Sequence, residues 1–337
     1  MSIEKNKAIQ FTRLGVPSEV AEVVDLPEPG NPGPGEVIVE VEVAPIEPAD
    51  LYRVAGLVEE FPTPLPFIGG LEGMGRVATI GSGVNNVRVG ERILLPIAVG
   101  SWQQRIRVSA QTLFPLPPDA DPLQIGQLSV NPPAAYLLLK EFVPLTPGDW
   151  FIHNAAMSNL ASYLIGLSKH LGFHSVNVVR CESAIERLRR TGADVVLVDG
   201  PDLAQRVATA TNNAPIKLAL DAIGGEATMR LASCLADGGT LVVYGMLSGQ
   251  PCQVPPPDLL FKDIRLRGFF LGRWVQNAIP ADIAQVFQTV IPLVANGTLR
   301  SEVEAAYPLD RIKEALAHAS REGRNGRILL TPNGTLK

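Results

Sequence analysis

A change of hydrophobic rhythm at Pro147-Gly148-Asp149 splits this sequence into two kinds of architecture. In the first 125 residues, short alternating or β-branched runs such as Glu36–Val43, Gly75–Ile80 and Glu91–Pro96 lie between Gly, Pro and Asn punctuation. That is the pattern of a compact, largely antiparallel β domain. Downstream the period moves from 2 to 3.6 and back. A strand Trp150–Asn154 leads into a helical stretch Ser158–His170, then a strand Ser175–Arg180, an amphipathic segment Glu182–Arg190 and a strand Ala193–Asp199. Helix Leu203–Asn212, strand Ile216–Asp221, helix Glu226–Ala236 and strand Thr240–Tyr244 continue the series. Strand alternating with helix specifies an α/β fold with a doubly wound parallel sheet. A last strand Ile264–Leu271, a long helix Pro280–Asn296, a helix Asp310–Ser320 and a strand Arg327–Leu330 return the chain to the first domain, and Pro255-Pro256-Pro257 reads as a rigid loop.

With 337 residues the chain has room for two domains, at roughly 100–200 residues each. The expected division is residues 1–124 as the first part of the β-rich domain, 125–274 as the parallel-sheet domain and 275–337 as the segment that completes the first. Hydrophobic residues make up 46%, and no run approaches the roughly 20 apolar residues that span a bilayer. A soluble chain with no membrane partner is expected. Lys and Arg number 29 against 34 Asp and Glu, a net charge of −5. Without a basic run, the phosphate-neutralising surface of a nucleic-acid binder is missing. Cys181, Cys234 and Cys252 are far apart and form no CxxC pair, which suits free thiols in a reducing compartment. The opening MSIEKNKAIQF has neither the apolar core of a secretory signal nor an Arg/Ser-rich amphipathic stretch, so a cytoplasmic location is expected.

The unit Trp150–Arg180 carries the strongest chemical signal. A strand that ends at a helix N-terminus presents unpaired amides and the positive end of the helix dipole to a phosphate, and a dinucleotide pyrophosphate fits there. The loop His153–Ser162 has no glycine, so the close approach that GxGxxG allows is not encoded. Arg180 ends the second strand, where a carboxylate would bind an NAD ribose and a cation accepts the NADP 2′-phosphate; NADPH is therefore the expected cofactor. Read blandly, Arg180 is a solvated residue opening a helix, with Glu182 beside it to orient or partly neutralise it. Two more strand ends, Gly239–Gly245 and Arg267–Gly272, place glycines and aromatics at the edge of the same sheet, where ligands bind in open α/β folds. Gly245 and Gly272 serve equally as strand terminators, and Phe269, Phe270 and Trp274 as core.

These residues carry a resemblance. A GroES-like β-rich catalytic domain, a Rossmann domain and a returning tail resemble the medium-chain dehydrogenase/reductase superfamily, and within it the zinc-independent reductases. Pro64-Leu-Pro-Phe-Ile-Gly-Gly-Leu-Glu-Gly73, with Asp50, Tyr52 and Gly56 upstream, is similar to quinone oxidoreductases. Val130-Asn-Pro132 with Ala135-Tyr136, Asn177-Val-Val-Arg180, Gly238-Gly-Thr240 with Tyr244-Gly245, and Phe261-Lys-Asp263 with Arg267-Gly-Phe269 are similar to mitochondrial-type 2-enoyl thioester reductases. Zinc dehydrogenases of the superfamily carry Gly-His-Glu and a ligand cysteine. Here Leu71 fills the histidine position and Ile46–Asp50 has no cysteine, so no metal is expected and hydrogen-bond donors must assist hydride transfer.

The resemblance implies hydride transfer from NADPH to an activated C=C bond of an α,β-unsaturated carbonyl, a small-molecule substrate of the 2-enoyl thioester or quinone-like enone class. Carried over by position, Asn131, Ser158, Asn159, Leu160, Arg180, Tyr244, Gly245, Met246, Phe269, Phe270 and Leu271 line the cofactor. Tyr136 and Trp274 face the substrate. Many relatives have a tyrosine shortly after the glycine corresponding to Gly56; here Val58 stands near that place and donates no proton, leaving Tyr52 as the substitute donor or, blandly, as a packing residue. The rival from another class is a catalytically weak, reductase-like protein that binds a nucleotide or small ligand, favoured by Val58 and the glycine-free loop. A zinc dehydrogenase would require bound metal despite the missing ligands. By analogy, an apolar edge strand Leu266–Leu271 pairs two copies into a homodimer.

Overall fold

The computed structural model describes residues 5–57 and 64–334, and Val58 lies outside them. The described chain divides into two compact units: residues 1–130, 289–297 and 301–337 in one, 131–288 and 298–300 in the other. The first passage therefore lies at 130/131 rather than 124/125, and the return at 288/289 rather than 274/275. The expected return at 274/275 falls inside a helix, Leu271–Asn277, so the chain does not pass over there.

The first unit begins with β1 (Lys5–Phe11), α1 (Pro17–Val20), β2 (Ala21–Pro27), β3 (Glu36–Pro45) and α2 (Pro48–Ala55). Next come β4 (Phe67–Ile68), β5 (Met74–Ile80), β6 (Arg92–Leu94), β7 (Arg105–Ser109), β8 (Phe114–Pro115) and α3 (Pro122–Ile125). In β3, Val37, Val39, Val41 and Val43 are fully buried while Glu36, Glu40 and Glu42 are half exposed, the period-2 alternation that faces one side to a core. Each such side chain contributes about 1.5–3 kcal/mol of burial.

The second unit holds α4 (Asn131–Lys140), β9 (Trp150–His153), α5 (Asn159–Leu171), β10 (His174–Val179), α6 (Ile185–Thr191), β11 (Val195–Val198), α7 (Leu203–Ala210) and β12 (Ile216–Asp221). It continues through α8 (Glu226–Cys234), β13 (Thr240–Val243), α9 (Pro256–Phe261), β14 (Arg265–Gly268), α10 (Leu271–Asn277) and into α11 (Pro280–Ala295). The six strands are parallel in the order β11-β10-β9-β12-β13-β14. The order reverses between β9 and β12, the switch point at which doubly wound sheets bind ligands. One buried cluster includes Ile152, Val176, Ala219 and Leu241, and another Ile165, Val179, Leu188 and Val196, so apolar packing surrounds the strands.

The chain then returns through β15 (Val303–Tyr307), α12 (Ile312–Ser320) and β16 (Arg327–Leu330). β16 pairs with β15 and with the end of β3, joining the first unit's larger sheet, ordered β15-β16-β3-β5-β6-β8 with β7 also on β3; β2-β1-β4 form a smaller one.

Two local expectations need correction. Pro256 and Pro257 open α9 instead of forming a loop, because a first-turn proline lacks only an N–H that the helix would leave unpaired. The strand expected over 264–271 is confined to Arg265–Gly268; Phe270 then caps α10, which begins at Leu271. The residues of β14 are all exposed, so the edge is barer and shorter than the apolar strand expected.

Candidate active site

The carboxyl ends of the parallel strands carry most of the residues singled out from the sequence. After β9 the chain turns through residues 154–157 to Ser158, whose Oγ accepts the Ala161 amide at 3.2 Å and N-caps α5. Asn159 and Leu160 open this 13-residue helix, so their amides have no intrahelical acceptor and sit at the positive end of its dipole. Where glycine would make the turn freely, Ala155 adopts φ 49°. A left-handed alanine costs about 1–2 kcal/mol.

The surroundings hold that turn in place. Ala155 O accepts the Ser158 amide at 2.8 Å, and the Ala156 amide donates to Val178 O at 3.2 Å. Asn154 Nδ2 donates to Asp221 Oδ1 at 2.6 Å, while its Oδ1 accepts the Ala222 amide at 2.8 Å. Asp221, fully buried at the end of β12, also accepts the Ile223 and Gly224 amides and the Thr228 hydroxyl. The sequence reading passed over this network, whose signal was an Asn directly after one strand and an Asp ending another. His153 pairs with Asn177 at 2.7 Å, and burial lowers its pKa to about 4, so the ring is a neutral structural element at physiological pH.

Arg180 is exposed immediately after β10, at the position the NADP reading requires. Tyr244 follows β13, and its amide donates to Asp221 O at 2.9 Å. Its hydroxyl is buried without a hydrogen-bond partner among the described residues. Burial first, and the Asp221 charge second, make that hydroxyl less acidic than an ordinary phenol. A buried donor lacking an acceptor fits a site that a polar cofactor group completes. At Gly245 a Cβ would lie 2.7 Å from Ala222 O, so close approach to the loop after β12 requires glycine. Met246 is exposed beyond it. Asn131 opens α4 and is buried.

Within the second unit, a cavity of about 650 Å³ brings Tyr136 and Trp274 together. Phe142, Phe269 and Phe270 also line it, and Phe142 meets Phe269 edge to face with centroids 6.0 Å apart. Lys140, Arg267 and Arg273 add positive charge to the lining, opposed by Glu141 and Asp282. Leu271 is buried at the start of α10, outside this lining. Tyr52 belongs to α2 of the first unit, half-buried, and is not among the residues this cavity gathers. The sequence reading missed Phe142, Lys140 and Arg273, because α4 was not recognised as a helix and the run 264–271 hid the start of α10.

Comparison with known proteins supports the two-domain fold. Residues 33–118 match the alcohol dehydrogenase GroES-like domain, and residues 160–293 match the zinc-binding dehydrogenase family. The mitochondrial enoyl-[acyl-carrier-protein] reductase of Mus musculus is 31% identical over 331 residues, spanning 96% of this chain and 88% of the relative. A structure from Bacillus thuringiensis assigned as an NADPH:quinone reductase superposes with TM-score 0.88 at 31% identity, covering 97% of this chain and 99% of that one. The mitochondrial 2-enoyl thioester reductase heterodimer of Candida tropicalis shares the fold, with TM-score 0.87 at 24% identity over 97% of this chain and 100% of that one. The residues present do not fit the catalytic zinc that the second family's description implies. Leu71 offers no donor atom, Ile46–Asp50 contains no cysteine, and among the described residues no three His, Cys, Asp or Glu side chains are grouped to hold an ion. With two domain matches in chain order, a relative above 30% identity along nearly the full length and no zinc donor set, this chain belongs to the medium-chain dehydrogenase/reductase superfamily and, within it, to the zinc-independent enoyl-thioester and quinone reductases.

Proposed function

We propose that this chain is an NADPH-dependent reductase of activated C=C bonds whose substrate is a 2-enoyl thioester. The observation that carries the choice of thioester is the cavity in which Tyr136, Trp274 and three phenylalanines meet Lys140, Arg267 and Arg273. Aromatic faces suit an acyl chain, and the cations complement a phosphate-bearing carrier, which a simple quinone lacks. Bound NADPH supplies the hydride that adds to the β-carbon. The first-turn amides of α5, with Ser158, hold the diphosphate; Arg180 pairs with the 2′-phosphate, and the Tyr244 hydroxyl gains its missing acceptor. Tyr136 and Trp274 orient the enone. The sequence resemblance makes Tyr52 the candidate proton donor, so Tyr52→Phe is expected to lower turnover and leave NADPH binding alone. An unchanged rate in that variant transfers the role to Tyr136 or water.

Two further readings rest on structure and sequence together. The exposed, one-sided edge of β14 supports a homodimer built by pairing that strand with its symmetry mate, and light scattering of the purified chain tests it. Three free cysteines support a reducing, cytoplasmic compartment, tested by localising the tagged full-length protein.

The deciding experiment is anaerobic NADPH consumption with a trans-2-enoyl thioester and a simple quinone in parallel, with products identified. Saturation of the thioester is the expected result. Reduction of the quinone alone overturns the choice of substrate. NADPH binding without either turnover favours the weak-catalyst reading, for which the glycine-free turn at Ala155 speaks.

A further inference from the structure

The first unit contains a cluster of buried ionisable groups that the proposed reaction does not use. Glu47 is the N-cap of α2 and Asp50 its third residue; Glu72 lies between β4 and β5; Arg327 opens β16. Their relative exposures are 4%, 3%, 0% and 5%. Arg327 Nη2 donates to Glu47 Oε1, and the same nitrogen lies 3.3 Å from Glu72 Oε1. Glu72 Oε2 accepts the Val130 amide at 3.1 Å. At the helix start, Glu47 and Asp50 form a reciprocal capping box, with the Glu47 amide donating to Asp50 Oδ2 at 2.9 Å. The Glu47 and Glu72 carboxyls therefore converge, buried, on one guanidinium nitrogen. Two buried carboxylates on one guanidinium leave a negative charge that the guanidinium does not balance, and a proton retained by one carboxyl removes it.

We propose that Glu47 and Glu72 share one retained proton at physiological pH, and that this proton, with Arg327, clasps β16 to the start of α2 in an alkali-sensitive lock. The proton sits in an O–H···O⁻ bond, and Arg327 neutralises the single remaining charge of the pair. Loss of the proton leaves two buried anions on one guanidinium nitrogen, where burial and mutual repulsion both oppose ionisation. The other charged groups facing Glu47 are Asp50 from α2 and Arg324 from the turn before β16, and Arg53 of α2 faces Asp50. Asp50 adds negative charge, while Arg53 and Arg324 are half-buried cations on the flanks. Burial is the largest influence on Glu72, followed by the Glu47 charge, and both hold its pKa well above the usual carboxylate range. The two carboxyls titrate as a unit.

The lock is tested on the full chain by carbon NMR of protein labelled at the glutamate side-chain carboxyls, titrated from about pH 5 to about pH 9. The expected result is one glutamate signal that keeps the chemical shift of a carboxylic acid beyond neutrality and is lost in Glu47→Gln. If every glutamate of the native protein titrates in the ordinary carboxylate range, the proposal is wrong. A second measurement separates the lock from a plain ion pair. In Glu47→Gln the amide N–H replaces the shared proton, so the variant should resist alkali better than the wild type and lose its advantage in acid. An equal fall in Tm at every pH marks the cluster as an ordinary structural contact and overturns the proposal. Amide exchange at Ile328–Leu330, referenced to the core strands of the second unit, should accelerate in the wild type as the proton leaves.

Discussion

Asp221 in the second unit and Glu72 in the first are both fully buried, yet they are satisfied in different ways. Asp221 accepts from four donors contributed by its neighbourhood: the Asn154 side chain, two backbone amides and the Thr228 hydroxyl. Glu72 shares a guanidinium nitrogen with a second buried carboxyl. A full set of neutral donors fixes one geometry for a charge without needing a counterion. Carboxyls that outnumber their donors must recruit protons, and their geometry then depends on pH. The second unit uses the first device at the turn proposed to hold the cofactor; the first unit uses the other where distant parts of the chain are joined.

The most damaging way to break this contrast is Asp221→Ala, which leaves four donors without their acceptor. The expected loss is about 3–5 kcal/mol of stability in the second unit. Urea unfolding followed by a probe in that unit reads it, and a loss below about 1 kcal/mol would show that the network is not what holds the turn. If the network exists to fix a phosphate-binding edge, Arg180→Ala should weaken NADPH by about 2 kcal/mol, roughly 30-fold, with NADH affected less than about twofold. Equal losses for both cofactors in a binding titration would remove Arg180 from the 2′-phosphate site.

Asp50 sharpens the other side of the comparison. Burial, with the Glu47 charge adding to it, pushes its pKa up to about 7 from 3.8, against the pull of its backbone hydrogen bond and of Arg327 and Arg53. The folded state therefore keeps a proton that the unfolded chain releases near pH 4. Asp50's contribution to stability is complete below that pH and declines as pH rises towards 7, at a slope of about 1.4 kcal/mol per pH unit where the two states differ by one proton. Asp50→Asn keeps an acceptor for the Glu47 amide and should remove that slope, as Tm measured across the range will show. The smallest effect is expected for Ala155→Gly. Relief of the left-handed alanine is partly offset by greater freedom of the unfolded chain, leaving a gain below about 1 kcal/mol with NADPH affinity retained. A clear loss of stability would mean that the methyl group packs usefully.

Much of the architecture was legible because periodicity is a local property. The alternation of β3, the Ser158 cap and Gly172 stop of α5, and the arginine at the tip of β10 are each written within a few residues. Elements whose signal conflicts with local habit were lost. Three prolines in a row read as a breaker, although two of them begin a helix, and the apolar run after Gly268 read as more strand. The cavity was half visible: Tyr136 and Trp274 were named, but their cationic and aromatic companions depend on how α4, α10 and α11 pack. The buried carboxyl cluster left no local trace, since Arg327 meets Glu72 and Glu47 across 255 and 280 residues. Val58, where a family tyrosine would stand, falls outside the described residues.

That long separation also has a temporal meaning. The end of β3 pairs with β16, Ala44 and Pro45 with Leu330 and Leu329, so the first unit's larger sheet cannot close until more than 280 further residues have been made. At roughly 5–20 residues per second, the ribosome needs tens of seconds for that stretch. Most of the second unit is a continuous block that emerges before β16 and is free to fold during the wait. Throughout that interval the last two residues of β3, Ala44 and Pro45, lack their partner strand, which leaves the nascent first domain open to misassociation and chaperone capture.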